Sequence, residues 1–403
     1  MPKHERKSRQ FDVVIVGGGL VGAALAAALG AGALDIALVE SRLPEAAGAP
    51  AMTPGEDWDS RVYAISPESV RFLTEIGAWA EVEPARLTAV RKMEIFGDEG
   101  KSRIGFDAMA TGVPELAWIV EGRVLLDAIW RVLERHKNLS LFRPAQCTAL
   151  SVAEGRASLS LDGGTRLSAQ LVVGADGAHS WLREAAGMVA TERSYREVGV
   201  VANFATGREH EGTAYQWFRP EGTLAYLPLP GKRLSMVWAA QEEFARELLG
   251  LAPQTLAQRV AAAGGHQLGE LQLLTPAQGF PLRLLSAARS VAPCVALVGD
   301  AAHVVHPLAG QGVNLGFADA EALAAEIARR ESFRGCGDSR LLRRYERRRR
   351  EQHFAIECVT DGLQRLFSSE NRALRQMRNR GLELVDALPV LKNLLARRAL
   401  GTA

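Results

Sequence analysis

Phe11 to Glu40 reads FDVVIVGGGLVGAALAAALGAGALDIALVE, and the order of its parts decides the fold. Phe11–Val16 is a continuous β-branched run ended by glycines, which predicts a buried parallel strand. Gly17, Gly19 and Gly22 then fit the G-x-G-x-x-G pattern. A helix is predicted over about Leu20–Leu29, and a second strand over Asp35–Glu40. Glycines at this strand-to-helix turn permit a tight bend and close approach of a pyrophosphate, whose charge the helix N-terminus favours. Glu40 closes the second strand 18 positions after Gly22, where a carboxylate can accept from ribose hydroxyls. The unit is expected to bind a dinucleotide rather than to be a glycine-rich packing turn, but its spacing does not separate FAD from NAD.

Around this unit the chain has 403 residues, enough for more than one cooperating core. Its 47% hydrophobic and 23% charged residues exclude a disordered chain. A formal net charge of +2 gives no global field for nucleic acid, and none is expected as a partner. Ser339–Glu351 nonetheless carries seven arginines against two glutamates. That run is read first as a solvated helix face, and second as a contact with anionic lipid, phosphate or an acidic protein. Cys147, Cys294, Cys336 and Cys358 lack paired spacings, so reduced thiols in a cytoplasmic protein are expected. The apolar stretch Val13–Leu34 superficially resembles a signal peptide or membrane span, but its glycines are spaced for the turn just described.

Farther along, Pro44–Trp58 reads as a mobile loop and Val124–His136 as a helix. Short strands are expected over Leu139–Phe142, Ala145–Ala153, Ala157–Leu161 and Leu171–Val173. From Val198 to Ala239 alternation and turn residues predict a β-meander with one buried face. Two more strand-to-turn elements repeat the pattern of the first. One is Leu171–Ser180 (LVVGADGAHS), placing Asp176 and Gly177 at the start of a helix, where Asp176 could equally be a helix cap. The other is Val295–Ala320, in which a strand ends at Gly299-Asp300 and a Pro- and Gly-rich loop leads into a helix. Asp300 could accept from polyol hydroxyls, and the turn Gly310-Gln311-Gly312 aims N–H groups at an anion.

This ordered trio resembles the single-component, FAD-dependent aromatic hydroxylases of the para-hydroxybenzoate hydroxylase type. The resemblance implies that Asp176-Gly177 serves the flavin pyrophosphate, Gly299 and Asp300 the ribityl chain, and Gly312, Val313 and Asn314 the pyrimidine end of the ring. Arg61, in DSRVYAI, resembles the arginine lying near the flavin, and Arg123, in EGRVL, another FAD-side position. SRVYAISPESVRFLTEIGAW, YQWFRPEGTLAYLPLP, LSMVWA, HPLAGQGVNLGFADA and NRALRQMRNRGLELVDALPVLKNLLARRALG narrow the resemblance to the ubiquinone-biosynthesis hydroxylases, over nearly the whole chain. Membership of that group implies hydroxylation of a polyprenylated phenol by O₂ through a flavin C4a-hydroperoxide. The reductant would be NADH or NADPH, with an electron-transfer protein as the other candidate donor. A ubiquinone-biosynthesis protein complex and a peripheral inner-membrane contact are further partners the resemblance suggests. A hydroxylase or reductase for another substrate, and a flavin-binding scaffold subunit, stay open as alternatives.

The expected architecture is α/β: a Rossmann-like FAD-binding domain with a parallel sheet, a mostly antiparallel substrate domain and C-terminal helices. The boundaries expected are 1–70, 100–185 and 286–340 for FAD, 71–99 and 186–285 for substrate, and 341–403 for the helical end. Pro307, by resemblance, would line the flavin face beside the substrate. Tyr215, Trp217, Tyr226 and Trp238 are substrate-pocket candidates on the meander, although aromatic residues on a sheet are more often core. His303 and His306 form an HxxH pair, but two such ligands with one nearby acid make a weak metal signal, and no metal site is expected. Leu374, Met377, Leu384, Val385 and Leu388 recur at helical spacing, as in helix packing or a docking face.

Overall fold

The computed structural model describes residues 8–42, 58–97, 102–305 and 312–368. Pro307, His306, the Gly310-Gln311 part of the turn, most of the Pro44–Trp58 loop and the C-terminal apolar positions Leu374–Leu388 lie outside those residues.

Strand Ser8–Val16 is flanked in parallel by Ile36–Val39 and Arg166–Gly174. Val295–Leu297 extends the sheet beyond one neighbour and Leu139–Phe142 beyond the other. Register matters more than strand count here. Val16 is level with Val39 on one side and Gly174 on the other, and Gly174 is level with Leu297. The residues just beyond each rank are Gly17, Glu40, Ala175-Asp176 and Val298–Asp300. Turns far apart in sequence therefore emerge side by side at the carboxyl ends of adjacent parallel strands, where an open α/β sheet binds its ligand. Helices Leu20–Gly30, Gly122–Leu133 and Gly312–Ala328 bury their apolar faces against one side of this sheet. The hairpin Cys147–Leu161, antiparallel to Arg166–Gly174, and Leu182 cover the other side.

The second sheet is mostly antiparallel. Its order is His303–Val304, Gln278–Ala287, Ala190–Thr206, Arg233–Gln241, Gly222–Leu229, Thr213–Arg219, Lys92–Phe96 and Arg103–Asp107. A small sheet of Val62–Ile65, Ala117–Glu121 and Thr88–Val90 flanks the Lys92–Asp107 hairpin in sequence. Two helices, Glu242–Gly250 and Pro253–Ala263, cover one face of the second sheet. They were not expected, yet Phe244, Ala245 and Leu248, and Leu256, Ala257 and Val260, carry the three-to-four spacing of an amphipathic helix.

Three expected boundaries are crossed by chain segments. Arg103–Asp107 pairs with Lys92–Phe96 and so joins the antiparallel sheet. Phe72 and Leu73, from helix Pro67–Glu75, pack in the core of the parallel sheet. Strand Gln278–Ala287 carries the antiparallel sheet to His303–Val304. Pairing and packing cross these sites because the hairpin and the helix each find their apolar partner in the other unit. No described helix is long and apolar enough to cross a membrane.

Candidate active site

At the first turn, Gly17 has φ +104°, and a Cβ there would stand 2.3 Å from the Ala175 carbonyl oxygen. A Cβ on Gly22 would meet the Gly17 carbonyl oxygen at 2.0 Å. Both positions are glycine because backbone packs on backbone. Gly19 differs: nothing lies within 4 Å of its Cβ position, and its φ of −68° is ordinary. Gly177 and Gly312 likewise face space empty of described residues. The turns at Gly19 and Gly177 and the helix start at Gly312 thus border space that no described residue fills, which fits a bound dinucleotide such as FAD. Glu40 accepts from Gly18 N at 2.6 Å and Arg42 N at 2.8 Å, which orients its carboxylate at the rim. Trp130, not singled out from sequence, donates its indole N–H to Gly18 O at 3.0 Å and pins the turn from below.

Asp176 accepts from Ser180 Oγ at 2.5 Å and Leu182 N at 3.0 Å, so it organises the start of helix Trp181–Ala185. The N-cap itself is Ser180, whose hydroxyl accepts from Arg183 N at 3.0 Å, so Asp176 supports the cap rather than being it. Arg183 is buried beneath, donating to Ala178 O at 3.0 Å and Ala301 O at 2.9 Å. It straps the Asp176 turn to the Gly299–Ala301 turn. Asp300 is open to the recess on one side, but surrounding protein pushes its carboxyl above the ordinary range, against the pull of His303, Arg61 and Arg283.

The Gly299 turn is held from behind by Asp319, a fully buried carboxylate. One oxygen accepts from Gly299 N at 2.9 Å and contacts His303 Nε2 at 2.6 Å. The other accepts from Arg349 Nε at 2.6 Å and contacts His353 Nε2 at 2.8 Å. Burial alone would raise this carboxyl, but His303, Arg349 and the histidine hydrogen bonds together hold it well below the ordinary range. His303, Asp319 and His353 approach to within metal-ligand distance of one another. The Arg349 guanidinium already supplies the positive charge, so the cluster is an ion-pair network. Part of the arginine run is therefore committed internally: Arg349 to Asp319, and Arg344 to Glu326 at 3.0 Å. Arg343, Arg347, Arg348 and Arg350 are exposed.

Arg61 and Arg123 meet through Asp59, whose carboxylate accepts from Arg61 N at 2.9 Å and Arg123 N at 3.0 Å. The Arg61 guanidinium lies 4.6 Å from the Phe280 ring centroid, above a residue of the antiparallel sheet. Asp59 N donates in turn to buried Glu121 at 2.7 Å, which is paired with Arg86 at 2.7 Å. Tyr63 stands against Gly122, where a Cβ would be 2.9 Å from its ring. Burial pushes the Tyr63 phenol up, with Arg61 opposing and Asp300 and Asp59 adding to the rise. Asn314 donates to Ala64 O at 2.8 Å and accepts from Ser66 N at 3.0 Å, so its side chain ties helix Gly312–Ala328 to the Arg61 segment.

The four meander aromatics require a correction. Tyr215, Trp217, Tyr226 and Trp238 all lie on the sheet face covered by the two helices, packed with Phe244, Leu248 and Val260. Tyr226 donates its hydroxyl to Val260 O at 2.5 Å. They are core, because side chains alternate along a strand and these share the helix-covered parity. The opposite parity faces the flavin-side unit: Ala214, Leu227 and Leu229 cluster with Trp58, Val62 and Ile119, and Asn203 Nδ2 donates to Asp59 O at 2.8 Å. On that face Val201, Ala225, Val237 and Ile95 are only half-buried.

A family described as "FAD binding domain" matches residues 10–360. The 3-demethoxyubiquinol 3-hydroxylase of Escherichia coli (strain K12) is 35% identical over 393 residues, covering 97% of this chain and 98% of its own. The human mitochondrial ubiquinone biosynthesis monooxygenase COQ6 is 32% identical over 431 residues, covering 95% of this chain and 91% of its own. Among solved structures, p-nitrophenol 4-monooxygenase PnpA from Pseudomonas putida shares the fold with a TM-score of 0.77 at 18% identity, over 98% of each chain. PqsL of Pseudomonas aeruginosa does so with a TM-score of 0.76 at 24% identity, over 93% of this chain and 99% of its own. With the Gly17, Asp176 and Gly299 turns side by side at the strand ends and relatives at 32–35% identity matched over more than nine-tenths of the chain, the chain belongs to the FAD-dependent ubiquinone-biosynthesis hydroxylases.

Proposed function

We propose that this protein hydroxylates the aromatic ring of a polyprenylated phenol on the route to ubiquinone, with O₂ as oxidant and NADH or NADPH as reductant. The observation that carries this reading is the half-buried apolar face of the antiparallel sheet, turned toward the recess bounded by Arg61 and Asp300. A neutral, tail-bearing ring suits such a face; a small charged acid does not.

Gly17, Gly19 and Gly22 would hold the pyrophosphate of FAD, Glu40 a ribose, and Asp176-Gly177 the second side of the pyrophosphate. Gly299 and Asp300 would take the ribityl chain, and Gly312, Val313 and Asn314 the far end of the ring system. When bound, FAD supplies the oxygen transfer from O₂ to an electron-rich ring carbon. The chain's own work is placement and exclusion. Asp319 and Arg183 fix the Gly299 turn, and Asp59 fixes Arg61 at the recess. Half-buried apolar side chains orient the ring and keep out water. Pro307 would stand beside the substrate ring. The exposed arginines of helix Ser339–Ser368 suit an anionic membrane surface or an acidic partner in a biosynthetic assembly.

Expression in strains each lacking one ubiquinone ring hydroxylase, with quinone intermediates measured by mass spectrometry, tests the assignment. Restoration of ubiquinone in one strain identifies the ring position. Failure in every strain despite flavin-loaded protein rejects the ubiquinone substrate.

A further inference from the structure

One rank of cross-strand neighbours crosses the recess-facing side of the antiparallel sheet: Gln278, Val201, Val237, Ala225, Gln216 and Ile95. Gln216 shares its strand face with Ala214, which packs against Trp58 and Ile119 of the flavin-side unit. Its immediate partners on the two flanking strands, Ala225 and Ile95, are apolar and half-buried. Gln216 itself is only 7% exposed. Its amide makes no hydrogen bond among the described residues, unlike Asn203 three strands away, which donates to Asp59 O at 2.8 Å. The side chain is nearly buried, yet its amide atoms are not sealed off, so they open to the space this sheet face lines, while Ala225 and Ile95 directly beside them offer no hydrogen bond.

We infer that Gln216 is a specificity-determining residue, whose amide receives an uncharged oxygen substituent, hydroxyl or alkoxy, on the substrate's aromatic ring. An amide offers two donors and one acceptor, so it can donate to an ether oxygen and can exchange either role with a phenol. No lysine or arginine shares its rank, so a ring carboxylate would find no compensating charge there. The ring would lie with its apolar edge on Val237 and Ala225 and its oxygen toward Gln216. This assignment rests on the phenol-hydroxylase reading, and adds which side chain recognises the ring's oxygen.

The test uses the full-length, FAD-loaded protein and two probes with the same five-carbon prenyl tail, a prenylphenol and the oxygen-free prenylbenzene. Binding is read from perturbation of the flavin absorption band. The wild type is expected to prefer the phenol by about tenfold, the worth of one neutral hydrogen bond in a dry site. Gln216→Leu keeps the bulk and removes the amide; it should abolish that preference by weakening the phenol about tenfold while leaving prenylbenzene unchanged or tighter. Gln216→Met, which keeps the side-chain length, is read the same way and decides the matter if the leucine variant loses FAD. An unchanged preference, or equal weakening of both probes, overturns the assignment and leaves the phenol reading intact. A wild type whose flavin responds to neither probe removes the phenol reading, and this assignment with it.

Discussion

Gly17 and Gly19 stand two residues apart and answer to different constraints. A methyl group at Gly17 collides with the Ala175 carbonyl and demands a strained φ, whereas at Gly19 it enters open space. Gly17→Ala should therefore cost about 1–3 kcal/mol of stability even without cofactor. Gly19→Ala should leave the cofactor-free melting temperature almost unchanged but weaken FAD binding by about tenfold or more; melting and FAD titration separate the two. The spacing made both glycines legible, but only the contacts sort fold from ligand space. Asp319 was not legible as a functional residue, because its partners Arg349 and His353 lie 30 and 34 positions away. Asp319→Asn leaves the buried Arg349 uncompensated, an expected loss of about 3–5 kcal/mol in chemical unfolding. Its pH dependence has a definite sign. The Asp319 carboxyl is held low in the folded state, so its stabilisation is complete above the ordinary aspartate value of about 3.9 and is lost as pH falls through the depressed folded value. Burial lowers His353 despite its bond to Asp319, so stability also declines as pH drops below the ordinary histidine value of about 6.5. His353→Gln should flatten the fall of the melting temperature as pH drops below about 6.5.

Within the meander, alternation was visible, yet it did not say whether the aromatics face the pocket or the core. Tyr226 and Val237 sit on adjoining strands with opposite parity, so a pair of substitutions tests the reassignment. Tyr226→Phe removes the bond to Val260 O and should cost about 1 kcal/mol of stability without moving the substrate KM. Val237→Phe adds bulk on the recess side and should lower kcat/KM by about tenfold or more with little change in melting temperature. A KM rise in Tyr226→Phe alone would restore the aromatic residues to the pocket. The missing information was the pair of helices Glu242–Gly250 and Pro253–Ala263. Their apolar spacing is present in the sequence, but nothing in it says onto which face they fold.

Across the whole molecule, long-range ties hold together turns that the chain delivers separately. Arg183 joins the Asp176 and Gly299 turns. Asn203 joins the antiparallel sheet to Asp59, and through it to Arg61. Arg183→Met should cost about 2–3 kcal/mol, from lost charge-assisted bonds, and weaken FAD beyond what the stability change explains; unfolding and FAD titration on the same sample measure both. By itself the sequence determined the parallel core and its dinucleotide turn. A β-branched strand, a glycine bend, a helix and a terminal carboxylate are local features, each fixed by residues within a few positions of one another. It also determined the order of the three turns, from which FAD was reached by resemblance. Only the tertiary structure decided which side of the second sheet faces the recess, and which distant cation answers each buried acid. Those choices depend on how separate elements pack against one another, and strand alternation specifies two unlike faces without naming what covers either.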